Sequence, residues 1–284
     1  DKATGREWIV PEKAPRLFQL DFSKRDDPNA KTIVVTNREA AEISLQRQES
    51  QGRTVARVVL AKLAGQPIDV VCTFATAPGD PMIRCRIEIQ FPEALVLQGV
   101  RFPLIALRTP SGEDATDALV FGSTKGGVHH RPSSWKTGRS TGHTQPGNLA
   151  AQFACYYDAA GGVYTAAEDV RGYRKAIYAA RSGDGLALSW LRSCFESGRD
   201  RQAYDTVLTT FRSTDPARPT DWRDAADLYK AWAVKQPWCA RTFAQRDDLP
   251  AWLRQGPAMV RFGREWLAQP ESIEHWLKDY WRRK

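Results

Sequence analysis

Three of the four histidines in this 284-residue chain, His129, His130 and His143, stand in one stretch, Gly122–Ala150, that holds no acidic residue and eight serines or threonines. Imidazole is a ligand for zinc, copper and nickel. Adjacent histidines need a third ligand fixed in place to hold one ion, and no carboxylate stands from Phe121 to Tyr157. Metal binding is therefore disfavoured, and no cofactor is expected. A sugar fits these side chains better. His129, His130 and Arg131 offer hydrogen-bonding tips, and Trp135 offers a ring for a wet, polyhydroxylated ligand. A packing or mobile loop competes with that reading, because the stretch is far longer than an ordinary connection.

Hydrolysis of a glycosidic bond generally needs two carboxyl groups about 5–9.5 Å apart. Glu168-Asp169 follows the Gly162–Ala167 strand, where adjacent side chains point to opposite faces, and a solvated strand end or turn explains the pair. Asp221, Asp224 and Asp227 lie in the first turns of an expected helix, where they complement its dipole. Glu265 follows the short apolar run Pro257–Phe262; it is the one catalytic candidate retained, and it lacks a partner carboxylate. No phosphate-binding glycine loop, G-x-S-x-G elbow or H-E-x-x-H motif appears.

A net charge of +8 invites nucleic acid as a partner. The basic residues are scattered singly through alternating segments, however, and the one cluster is Arg282-Arg283-Lys284. Without a contiguous stripe or a recognisable module, nucleic acid is not an expected partner. No run of about 18 apolar residues exists, so no helix is expected to cross a membrane. The five cysteines are at least 13 positions apart, which excludes C-x-x-C chemistry. Cys72, Cys85 and Cys155 sit in apolar runs and read as buried small hydrophobes, with a cross-strand disulfide left open.

These residues need elements to position them. From Lys31 to Arg212 the dominant signal is period-two alternation in short runs parted by Gly, Pro and Asp, the pattern of half-buried antiparallel strands. Met82–Phe91 is typical, with Ile83, Cys85, Ile87 and Ile89 on one face and Arg84, Arg86 and Glu88 on the other. Turns such as Ser182-Gly-Asp-Gly185 supply residues that tolerate positive φ. About a dozen strands with no helical period between them predict two packed antiparallel sheets, a large sandwich. At Pro219 the period changes. Trp222, Ala225, Ala226, Tyr229, Trp232 and Ala233 recur at helical spacing, with Thr220 or Asp221 as cap and Pro237 as terminator. Pro257–Phe262 then reads as a strand, and a second helix opens at Pro270. Seven of the ten tryptophans fall in the last 64 residues.

The order of these pieces resembles a known arrangement. A long β region, a YYD…GGVYTAAED…GYRK hairpin at Tyr156–Lys175, TTFRSTD at Thr209–Asp215 and DWRDAADLYKAWAVKQPWC at Asp221–Cys239 resemble bacterial glycoside-hydrolase-like proteins related to endo-α-N-acetylgalactosaminidase. In these a galactose-mutarotase-like β-supersandwich precedes a (β/α)8 catalytic barrel. The resemblance spans roughly Lys31–Tyr280 and contains no catalytic motif. It implies a mainly β chain: a supersandwich at 1–216, a helical linker at 217–248, and at 249–284 the first strand and helix of a barrel whose remainder lies elsewhere. A barrel's catalytic residues come from the ends of several strands, so this chain alone is expected to be inactive. Its expected role is to support that barrel and to contact carbohydrate, in a secreted or periplasmic protein of which it is the front part. The alternatives are a stand-alone carbohydrate-binding sandwich and a structural assembly domain.

Overall fold

The computed structural model describes residues 5–10, 16–27, 29–109, 116–183, 185–193, 199–201, 204–242, 245–251 and 278. The chain divides into two compact units, Asp1–Ala233 and Val234–Lys284.

Sixteen strands are described in the first unit. In the first half of the chain these are β1 (Gln19–Lys24), β2 (Ile33–Thr36), β3 (Glu42–Ser50), β4 (Arg53–Ala61), β5 (Asp69–Ala77), β6 (Asp80–Gln90), β7 (Leu95–Arg108) and β8 (Ala118–Ser123). Then follow β9 (Val128–His130), β10 (Ser140–Gln145), β11 (Leu149–Asp158), β12 (Gly161–Ala167), β13 (Lys175–Ser182), β14 (Gly185–Ser193), β15 (Arg199–Arg201) and β16 (Thr206–Phe211). They form two antiparallel sheets. One is six-stranded, in the order β10-β13-β14-β7-β1-β2; the other is ten-stranded, running β3-β4-β5-β6-β16-β12-β11-β8-β9, with β15 also on β6. The chain is mainly β, as its alternation predicts.

Alternation becomes a core because opposed residues share a face. Register places Leu60, Val70 and Ile89 in one row, and Val58, Cys72 and Ile87 in the next. With Leu20, Phe22 and Leu97, all of these but Val58 build one buried cluster, against which the half-buried Val58 packs. A second cluster gathers Leu119, Phe121, Tyr156 and Val163 with Leu186, Leu188 and Trp190. Each fully buried side chain of this kind is worth about 1.5–3 kcal/mol. Cys72, Cys85 and Cys155 are free thiols in this interior, so the disulfide left open by sequence does not link them. Burial pushes the Cys85 thiol up to about 12 and holds the other two higher still.

A third cluster lies on the outer side of the ten-stranded sheet, where α1 (Trp222–Ala233) packs on β11. Asp221 is the cap: its carboxylate accepts the Arg223 amide at 2.7 Å, while Asp224 accepts the Asp221 amide at 3.0 Å. Thr220 instead accepts from the Ser213 amide at 3.0 Å. Ala225 is fully buried and Tyr229 stacks on Phe153 at 5.3 Å. Trp222 departs from the expected buried stripe. It is 39% exposed, with the Arg223 guanidinium 5.5 Å over its ring, because the first residue of the helix projects past the sheet it covers.

Gly122–Ala150 also departs from the expected long loop. It contains β9, a 3-10 turn at Pro132–Ser134 and β10, whose backbone pairs with β13 from Ser140↔Ala180 to Gln145↔Lys175. Serine, threonine and glycine carry no apolar alternation, so the sequence hides a strand that is held by backbone hydrogen bonds.

In the second unit Thr242 donates to Gln245 through amide and hydroxyl, and Arg241 pairs with Asp247 at 2.9 Å. The expected strand at 257–262, the helix from Pro270 and Glu265 lie outside the described residues.

Candidate functional site

The histidine-bearing stretch closes one side of the sandwich, because β9 is the edge of the ten-stranded sheet and β10 the edge of the six-stranded sheet. β9 pairs with β8 in the register Ala118↔His130, Leu119↔His129 and Val120↔Val128. This sets the His129 ring 5.9 Å from Phe121, nearly edge-on, while His143 of β10 approaches the same phenyl at 4.9 Å. Trp135 lies 5.8 Å from His129 at an interplanar angle of 89°, and the Arg139 guanidinium sits 4.7 Å over its indole.

The turn between the two strands is held by a buried acid. Arg131 adopts φ +52°, a left-handed conformation that strains a non-glycine residue. Its amide donates to the Asp117 carbonyl at 2.7 Å. The Asp117 carboxylate, 1% exposed, accepts the Ser133 amide at 2.9 Å, the Ser133 hydroxyl at 2.5 Å and the Tyr156 hydroxyl at 2.9 Å. Asp117 is the organising residue that sequence reasoning missed. The stretch has no acid of its own, and the one that orders it stands just upstream, against the apolar start of β8.

The four residues expected to meet a sugar are brought together but presented unequally. His130 and Arg131 are exposed, His129 is half-buried, and Trp135 is 8% exposed within the core. Burial and the nearby Arg139 hold His129 below the ordinary imidazole range. Burial and His129 do the same to His143, against a hydrogen bond that the ring donates to Asn148. Both imidazoles are thus neutral near pH 7, each with a donor and an acceptor nitrogen, which suits hydroxyl groups.

The carboxylates are engaged elsewhere. Glu168 pairs with Arg84, which also holds Asp80 at 3.0 Å, and Arg86 binds Asp205 at 2.5 Å. Glu168 and Asp169 follow the end of β12 and take different partners. Asp169 is not solvated, however, and this corrects the strand-end reading: it is 1% exposed and pairs at 2.5 Å with the fully buried Lys175. Its carboxylate also accepts the amides of Arg171, Gly172 and Tyr173. Desolvation lowers the Lys175 ammonium, and the Asp169 charge opposes that shift. Among these described acids none is an unpaired group poised opposite a second carboxylate.

No protein-family model and no curated protein sequence matches the chain. Solved structures do. The α-N-acetylgalactosaminidase NagBb from Bifidobacterium bifidum, in its GalNAc complex, aligns over 85% of this chain with a TM-score of 0.61 and 15% identity. The Gal-NHAc-DNJ complex of the same enzyme gives the same values. Its quadruple mutant aligns over the same 85% at 0.55 and 13%. This chain spans 36% of that enzyme's length. At such identity the likeness establishes a shared fold: the two-sheet architecture described above occurs within a glycosidase.

Proposed function

We propose that the chain is the non-catalytic β-supersandwich portion of a glycoside-hydrolase-related protein. In this reading 1–216 is the sandwich, 217–248 a helical linker, and 249–284 the first strand and helix of a catalytic (β/α)8 barrel, the chain's main partner. The shared fold over 85% of this chain, against 36% of the α-N-acetylgalactosaminidase, supports it most directly. The reacting carboxylates would come from the barrel, because Glu168, Asp169, Asp205 and Asp117 are each committed to structural partners. His129, His130 and Arg131 contact carbohydrate at the sandwich edge, with Trp135 packed behind them as the support that fixes their positions. The protein acts outside the cytoplasm, secreted or periplasmic.

Two measurements test this. The chain alone is expected to release no nitrophenol from p-nitrophenyl α-N-acetylgalactosaminide, whereas a longer protein that joins it to the proposed barrel does; turnover by the chain alone overturns the non-catalytic reading. In an NMR titration with GalNAc, shifts should centre on His129, His130 and Arg131, and His130→Ala should weaken binding at least fivefold. A titration that leaves those signals unmoved ends the carbohydrate-contact reading.

A further inference from the structure

A groove of about 980 Å³ opens where β7 ends and the β13–β14 hairpin turns back. Its floor follows from residue size. Ala180, Ala187 and Ala106 are direct cross-strand neighbours on three adjacent strands, all half-buried, while the alternate residues Ala179, Leu188 and Ile105 point into the core. Three small side chains in one row leave the sheet surface low. The hairpin can close tightly over it because a Cβ on Gly185 would come within 2.7 Å of the Leu107 carbonyl.

The rim carries four arginines, Arg16, Arg38, Arg108 and Arg181, and the described lining residues include no carboxylate and no aromatic ring. Two of the four are steadied by neutral partners: Arg16 donates to Gln19 at 3.1 Å and Arg181 to Thr109 at 2.9 Å. Glu39, the acid beside Arg16, is turned to the Thr36 amide at 2.7 Å and hydroxyl at 2.5 Å.

This chemistry selects a class of ligand. Aromatic rings provide the stacking platforms for single-stranded nucleic acid and for the apolar faces of uncharged sugars, and the described lining has none, so a ligand here is held through its anionic groups. Guanidinium forks recognise carboxylates and tetrahedral oxyanions through paired hydrogen bonds. The lined stretch from Leu104 of β7 to Thr109 just past its end runs about 17 Å at ~3.4 Å per residue, long enough for more than one such group. We propose that this groove binds an anionic saccharide, held by the sulfate or carboxylate groups along its chain. The groove shares no lining residue with the histidine site, although Arg181 pairs through its backbone with Gly138 and Arg139 of that stretch, and it stands or falls independently of the function proposed above.

Fluorescence anisotropy with a labelled heparin-derived hexasaccharide tests it on the full chain, with the desulfated, carboxylate-only hexasaccharide as a second arm. Saturable binding of at least one is expected, and the pair distinguishes sulfate from carboxylate as the recognised group. Arg108→Glu should weaken it at least tenfold, and Arg57→Glu, an exposed charge on β4, less than twofold; unchanged thermal midpoints confirm that both variants fold. Equal losses in the two variants would reduce the effect to net positive charge and overturn the proposal. So would absent binding of both hexasaccharides, or single-stranded DNA of matched charge binding as tightly.

Discussion

β12 and β3 are each one arm of an antiparallel hairpin, yet every residue of β12 is buried and every residue of β3 is exposed. β12 is covered twice. Val163 and Ala167 face the six-stranded sheet, while Tyr164 and Ala166 lie in the cluster beneath α1. β3 lies at the end of the wider sheet, where the narrower sheet no longer covers it. Register puts Ile43 opposite Leu60 and Leu45 opposite Val58, in line with the core rows, but the two side chains remain 62% and 69% exposed. Position in the stack of layers, rather than strand propensity, sets how much a side chain contributes.

The largest test of that contrast uses one chemistry in both settings. Lys175→Met leaves the Asp169 carboxylate buried and unpaired, and should cost about 3–5 kcal/mol in urea denaturation. Lys62→Met removes the exposed partner of Glu42 and should leave the midpoint unchanged within error. A comparable loss in both would mean that layer position does not govern these pairs. Adding Asp169→Asn to Lys175→Met should recover a substantial part of the loss.

Gly162→Ala comes next. The new Cβ would stand 2.5 Å from the Phe211 ring and 2.6 Å from the Tyr157 Cβ, an overpacking worth about 1–3 kcal/mol in thermal denaturation. A neutral result would show that β12 is looser than its burial implies.

A smaller effect is expected from pH at the sandwich edge. His129 and His143 are held below the ordinary value of 6.5 mainly by burial, so the unfolded chain takes up protons at a pH where the folded chain does not. Stability is complete above about 6.5 and falls as the pH drops through that value toward the lower folded ones. The thermal midpoint should therefore decline below pH 6.5, and a His129→Gln/His143→Gln variant should flatten that slope. Smallest of all, Leu45→Thr on β3 should stay within about 0.5 kcal/mol of the parent.

Legibility in the sequence follows the same division. Strands with one apolar face, such as β5 and β6, could be read directly, since alternation records which side meets the core. β10 and β9 could not, because Ser140–Gln145 pairs through its backbone and its side chains carry no apolar period. In the candidate site the histidines and Arg131 were visible as residue types. Asp117 was not, because its importance depends on Ser133 and Tyr156 arriving at its carboxylate from distant positions. The helix at α1 was expected from spacing, but Trp222 was placed on the wrong side of burial because spacing does not tell where the covered sheet ends.

By itself, then, the order of residues determined an antiparallel β chain with a helix after Pro219, since period and turn chemistry are local properties that act within a few residues. Only the tertiary structure decided that Asp169 and Lys175 form a buried pair, that Trp135 packs behind the histidines, and that β3 lies bare. Each of those depends on which layers are stacked over which, and contacts between residues far apart in the chain arise only when the two sheets close on each other.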